Sequence, residues 1–169
     1  MATPQEYVVD WLRDAYAMEK QAETMLKAQS KRFEFYPLLR ERIDRHLEET
    51  LSHQTLLEGC LDRLGSGPSA TKNLSARMTA FMQGASGMAV SDEVVKGGMA
   101  GYVFEHVEIA AYTTLIAAAN AAGDIETRRV CEQILPQEIA MAKWLFEHLP
   151  QTVTQFLGRS AANLDEARR

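Results

Sequence analysis

The sequence predicts an all-α protein built as a bundle of four long helices. Three observations support that: apolar residues recur every three to four positions, caps and stops bracket four such stretches, and strand signals are almost absent. At 169 residues the chain is the size of one domain and long enough to bury a core.

Each element has its own signature. Thr3-Pro4-Gln5-Glu6 supplies a capping hydroxyl, Pro at the first helical position and Glu three residues after the cap. The stripe Val8, Leu12, Ala15, Ala22, Leu26 then predicts a first helix ending near Ser30. A second begins around Pro37, with the seam Leu39, Ile43, His46, Thr50, His53, Leu57, Cys60, Leu64, and Gly65-Ser66-Gly67-Pro68-Ser69 stops it. A weaker helix follows from about Ala70 to Met88, with Met78, Phe81 and Met82 as its apolar side. Ser91-Asp92-Glu93 caps a long helix reaching Ala122, closed by Gly123. Asp124 caps the last major helix, which is expected to run to Leu149 before Pro150. Pro136 inside it should kink or loosen the preceding turn. A short helix over Thr152–Leu157 and a polar tail complete the chain.

The weaker helix between the two pairs serves as a crossover, which gives the bundle a ferritin-like topology. The expected fold is a ferritin-like up-down four-helix bundle with a crossover helix and a short extra C-terminal helix. It forms a single domain over residues 1–160 with a polar tail over 161–169.

Composition narrows the function classes. Apolar residues make up 46 % and charged residues 24 %, the balance of a globular protein rather than a disordered one. A net charge of −5 with interleaved signs argues against nucleic acid as a partner, since phosphate binding needs a basic face. Cys60 and Cys131 are isolated, so neither a zinc knot nor a disulfide framework is expected. The first residues carry no apolar leader, and the longest apolar stretch, Ile109 to Ala122, is too short to span a bilayer. A cytoplasmic location without membrane contact is the expectation.

The chemistry lies where polar groups interrupt the apolar stripes. Glu19 stands among Leu12, Ala15, Ala22 and Leu26 at helical offsets, and Glu138 among Cys131, Ile134, Leu135, Met141, Ala142 and Leu145. An ionised carboxylate there costs several kcal/mol unless it is paired, protonated or bound to a cation. Glu105 and Glu108 sit one turn apart on a stripe with Gly98, Gly101, Tyr112 and Leu115, where two acids repel unless a cation lies between them. Glu49 lies between His46 and His53. Each reads blandly on its own, as a stripe-edge acid or a hydrogen-bonded core histidine. Together, on four helices, they form the inventory of a dinuclear carboxylate site. Tyr102 and Tyr112 are candidates to hydrogen-bond those acids, and His106 falls on another face.

The segments Ala17-Met18-Glu19-Lys20-Gln21-Ala22, His46-Leu47-Glu48-Glu49-Thr50 and Glu105-His106-Val107-Glu108-Ile109-Ala110-Ala111-Tyr112-Thr113-Thr114-Leu115 resemble the YciE/YciF-type ferritin-like bacterial stress proteins over nearly the whole chain. The resemblance implies a homodimer and a rubrerythrin-like dimetal centre, and it implies no established reaction. It assigns Glu19, Glu49, Glu105, Glu108 and Glu138 as metal ligands, with His53 or His46 supplying nitrogen. The sequence departs from the rubrerythrin pattern at Ser52 and Ala142, where histidines are expected, and it lacks a Cys-x-x-Cys tail as electron donor.

The expected cofactor is two divalent metal ions, iron first, with manganese or zinc as alternatives. The leading functional reading is a stress protein with a di-iron carboxylate centre that handles oxygen or peroxide. As an enzyme it would be a non-haem di-iron or di-manganese oxidoreductase whose redox partner the sequence does not name. The alternative is a structural or interaction protein in which metal only stabilises the bundle. Iron storage ranks behind both, because it requires a hollow shell of many subunits.

Overall fold

The computed structural model describes residues 2–67, 91–162 and 167, and within them four helices carry the architecture. Helix α1 (Pro4–Arg32) starts at the expected capping box, in which Thr3 accepts from the Glu6 amide and Glu6 accepts from the Thr3 amide. Helix α2 (Pro37–Arg63) begins with its proline and stops before Gly65, whose φ of 65° suits glycine. Helix α3 (Glu93–Ala122) ends at Gly123 in the left-handed region, φ 70°. Helix α4 (Ile125–Ala161) is capped by Asp124, which accepts from the Thr127 amide. Asp92 occupies the α3 cap position but makes no capping bond; its carboxylate pairs with Lys96 at 3.0 Å instead.

Cross-helix contacts fix the topology. Tyr16 meets Glu58 at 2.5 Å and Arg13 meets Ser66 at 2.6 Å, so α1 and α2 are antiparallel. Arg32 meets Glu93 at 2.7 Å and Gln29 reaches the Gly97 carbonyl at 3.2 Å, which makes α1 and α3 antiparallel. Arg63 meets Asp124 at 2.6 Å and His53 meets Gln137 at 2.6 Å, so α2 and α4 are antiparallel too. The helices therefore run up, down, down, up. Helices α2 and α3 are parallel, as in a ferritin-like bundle. The expected crossover helix over 70–88 lies outside the described residues.

The core follows the predicted stripes: Val8, Leu12, Leu26, Ile43, Leu57, Tyr112, Leu115 and Ile134 are all buried, and Phe104 joins them. Burying each such large side chain contributes about 1.5–3 kcal/mol. Cys60 and Cys131 are free thiols within it. The α3 glycines are packing devices inside the bundle. A Cβ on Gly97 would come 2.6 Å from the Phe33 ring, and those on Gly98 and Gly101 would meet Leu149 and Leu145 at 3.2 and 3.4 Å.

The C-terminal expectation needs correction. Pro150 does not end a helix, and residues 152–157 continue α4 rather than forming a separate short helix. Pro136 likewise sits in an uninterrupted helical run. Both prolines are on the solvent side, where water can satisfy the carbonyl that each leaves without an amide partner. Beyond α4, Ala167 is buried, and its carbonyl accepts from Tyr36, over whose ring Arg159 lies at 4.7 Å. No helix among the described residues is long and apolar enough to cross a membrane.

Candidate metal centre

Six polar side chains meet midway along the bundle because each interrupts an apolar stripe that already faces inward. Helix α1 contributes Glu19, α2 contributes His46 and His53 two turns apart, α3 contributes Glu105 and Glu108 one turn apart, and α4 contributes Glu138. All six are at most 1 % exposed.

Glu138 is central. One of its oxygens lies 2.9 Å from His53 Nδ1 and the other 3.3 Å from His46 Nε2. Glu105 approaches His46 Nε2 at 3.2 Å, and Glu19 approaches His53 Nδ1 at 3.3 Å. Two overlapping groups result, each with its ligand atoms within 4.8 Å of one another: His46, Glu105, Glu108 and Glu138, and Glu19, His53 and Glu138. Glu138 belongs to both.

These contacts are close charge pairs that lack hydrogen-bond alignment. His46 Nε2, His53 Nδ1, Glu19 Oε2, Glu105 Oε2, Glu108 Oε1 and both oxygens of Glu138 are buried without a hydrogen-bond partner. A buried polar atom left so costs about 1–3 kcal/mol, and seven in one place call for a common partner. The outward nitrogens of the two histidines are satisfied, and so is one oxygen of Glu19. His46 Nδ1–H donates to Glu49 at 2.8 Å, His53 Nε2–H donates to the Gln137 amide oxygen at 2.6 Å, and the Tyr112 hydroxyl donates to Glu19. On both histidines the nitrogen without a hydrogen bond faces the centre and the bonded one faces away, the pattern of metal-ligating imidazoles, while Glu19 Oε1 both accepts from Tyr112 and lies 3.3 Å from His53 Nδ1.

The electrostatics agree. Burial pushes Glu108 well above the usual carboxylate range, and the charges of Glu138, Glu19 and Glu105 push it further. Burial lifts Glu105 to about 7 against the pull of His46, and it lifts Glu19 against His53 and Tyr112. Burial opposes charge on His53, yet Glu138 and Glu19 raise it to about 10; Glu105, Glu138 and Glu49 likewise hold His46 well above its ordinary value. Burial also works against an ionised Glu138, but the two imidazoles outweigh it and bring that carboxyl down to about 2. Without metal, protons and imidazolium charge balance the acids. With metal, four carboxylates and two neutral imidazoles balance two divalent ions, so the donor set fits the pair.

Of the residues singled out in the sequence, Glu19, Glu105, Glu108, Glu138, His53 and His46 are brought together, and both imidazoles face the group. Glu49 stands apart from it. It contacts Arg42 at 3.3 Å, Arg45 at 3.6 Å and the outer nitrogen of His46, and its side chain is 18 % exposed. Ser52 is exposed, and Ala142 is a buried apolar neighbour. Tyr112 binds Glu19, whereas Tyr102 packs on His106 and Phe146. Gln137 was invisible to periodicity, being a solvent-side residue next to a core acid. Its only signal is that adjacency.

The family DUF892, described as a domain of unknown function, matches residues 3–158. A crystal structure of a Xanthomonas campestris protein is 42 % identical, with a TM-score of 0.79 over 94 % of this chain and 99 % of that one. YcfI of Rhodopseudomonas palustris is 26 % identical, with a TM-score of 0.73 over 85 % of this chain and 93 % of its own. The Escherichia coli stress protein YciF shares the fold at 23 % identity, with a TM-score of 0.78 over 92 % of this chain and 99 % of its own.

Proposed function

The chain belongs to the DUF892 family, and we propose that it is a metal-binding stress protein whose buried centre holds two divalent ions, iron foremost. The observation that carries this reading is the convergence of seven unpaired buried ligand atoms from six residues on four helices. Glu138 would be shared by two positions, one completed by His46, Glu105 and Glu108, the other by Glu19 and His53. Mixed carboxylate and imidazole donors suit iron, manganese or zinc. The stress setting is suggested by the description of Escherichia coli YciF.

A bound ferrous pair would supply electrons to oxygen or peroxide. The chain's own residues define the surroundings of that chemistry. Tyr112 donates a hydrogen bond to Glu19, and Ile134, Met141 and Leu57 help keep bulk water from the centre. A surface depression of about 530 Å³ between α2 and α4 is lined by Arg42, Arg45, Glu49, Gln137 and Trp144. Through Glu49 and Gln137 its floor stands one hydrogen bond from each histidine.

The test is metal per chain in protein expressed with iron and manganese supplied, beside a Glu108→Ala, Glu138→Ala double variant. About two equivalents in the native protein, lost in the variant, support the centre, and oxygen uptake on ferrous loading supports the redox reading. Metal that raises Tm without any oxygen uptake would shift the function to structural stabilisation. Absence of metal from the folded native protein would overturn the proposal.

A further inference from the structure

Resting on the dinuclear reading, we propose that the two metal positions are unequal, and that Glu49 and Gln137 make them so by orienting His46 and His53. The two histidines turn different nitrogens inward, His46 its Nε2 and His53 its Nδ1. The outward nitrogen of each has its own partner, Glu49 Oε2 at 2.8 Å from His46 Nδ1 and Gln137 Oε1 at 2.6 Å from His53 Nε2. A neutral imidazole that offers a lone pair inward carries its hydrogen outward, so each acceptor selects the tautomer that can ligate.

The two acceptors differ in chemistry. Behind His46 is a carboxylate, held in place by Arg42 at 3.3 Å and Arg45 at 3.6 Å; behind His53 is a neutral amide. A carboxylate raises the basicity of the ring it accepts from more than an amide does. Donor numbers favour the same side. His46 shares its position with Glu105, Glu108 and Glu138, whereas His53 shares its own with Glu19 and Glu138. The His46 position therefore has more anionic donors and the more basic nitrogen, and it fills first. Glu49 and Gln137 touch ligands rather than metal, so both are positioning residues.

The experiment is a Zn²⁺ titration of the metal-free full chain against a chromophoric chelator, with long-range ¹H–¹⁵N spectra of the histidine rings. These spectra report each position separately and reveal the tautomer of each ring. Expected are two equivalents, with the His46 position at least about tenfold tighter and its ring in the Nδ1–H form. Glu49→Leu should weaken the His46 position about 10–100-fold with little change at His53, and Glu49→Gln should restore the tautomer but not the full affinity. Gln137→Leu should weaken only the His53 position, and Gln137→Glu should tighten it. The two near-isosteric variants, with helix content checked by circular dichroism, keep the test valid if a leucine variant misfolds.

Equal affinity at both positions in the native protein, or variants that shift both positions alike, would overturn this inference while leaving the dinuclear reading intact. No zinc binding at all would instead remove the reading on which it rests.

Discussion

Tyr112 on α3 donates its hydroxyl to the Glu19 oxygen on α1 that also lies 3.3 Å from His53 Nδ1, and the other Glu19 oxygen is buried without a hydrogen bond. That bond joins two helices through a group that is fully buried on both sides. Burial, and after it the charges of Glu19 and Glu138, push the Tyr112 hydroxyl well above its ordinary value, so it stays a donor. Tyr112→Phe removes the donor and leaves a buried acceptor without it. A loss of about 1–3 kcal/mol is expected for the metal-free protein, read from urea unfolding midpoints. An unchanged midpoint would mean that water replaces the hydroxyl.

Glu138 and Glu19 should differ in what their loss does to metal content. Glu138 belongs to both ligand groups and Glu19 to one. Glu138→Ala is therefore expected to abolish binding of both equivalents, while Glu19→Ala should leave about one per chain. Elemental analysis after dialysis reads the difference directly. Retention of two equivalents by Glu138→Ala would remove the bridging role.

The fold was largely legible in the sequence, because helix ends rest on local chemistry. Thr3 with Glu6, Gly123 and Asp124 each specify a terminus through bonds or backbone angles within a few residues. The prolines misled for a reason periodicity supplies. Pro136 lies about 160° around the helix from Glu138, at roughly 100° per residue, so its missing amide faces water and the helix continues. The same arithmetic explains Glu49. It sits about 60° off His46, at the edge of the inward stripe, where two arginines offer a nearer partner than the centre does. The roles of Gln137 and Tyr112 depend on contacts between helices, which sequence spacing along one helix does not contain.

At the far end of the bundle, Asp124 caps α4 and binds Arg63 at 2.6 Å and the Thr127 hydroxyl at 2.8 Å. Burial raises its carboxyl, but Arg63 and Thr127 outweigh that and hold it below its ordinary value. A depressed carboxylate contributes stability that is present above the unfolded value near 3.8 and lost as pH falls through the folded one. Asp124→Ala is expected to cost about 1–2 kcal/mol at pH 7, mainly as a lost cap, and the gap to the native protein should close below about pH 4. Chemical denaturation at pH 7 and pH 3 checks both parts. A gap that persists unchanged at pH 3 would assign the effect to packing rather than to charge.

Gly97 receives the Phe33 ring, and a Cβ there would approach it to 2.6 Å. Phe33 is itself buried, so the ring has little room to retreat. Gly97→Ala gains about 1 kcal/mol in helix propensity but should lose about 1–3 kcal/mol to overpacking. A net fall in Tm is expected, whereas Gly59, with nothing near its Cβ, should tolerate the same change with a gain. Comparing the two alanine variants separates propensity from packing.

The charge pattern of the centre sets how metal and pH act together. In the metal-free protein the imidazole of His53 is raised to about 10 and that of His46 well above its usual value, so both carry protons at pH 7. A raised histidine contributes stability that is full below its unfolded value near 6.5 and is lost as pH rises toward the folded one. Glu105, lifted to about 7, and Glu108, lifted further, act in the same direction, since each resists ionising in the folded state above pH 4.5. Metal-free protein should therefore lose Tm steadily from about pH 5 to pH 10, first as Glu105 ionises and then as His53 loses its proton. Metal takes over the charge balance that the protons supply, so zinc-loaded protein should hold its Tm across that range. The exchange also fixes the sign for affinity: each proton displaced makes binding about tenfold tighter per pH unit, so affinity rises with pH. Calorimetry in buffers of different ionisation enthalpy counts the protons released, and at least two are expected at pH 7, one from each imidazole. A pH-independent affinity, or a metal-free Tm that stays flat to pH 10, would show that the histidines are neutral in the folded chain and that something other than protons balances the acids.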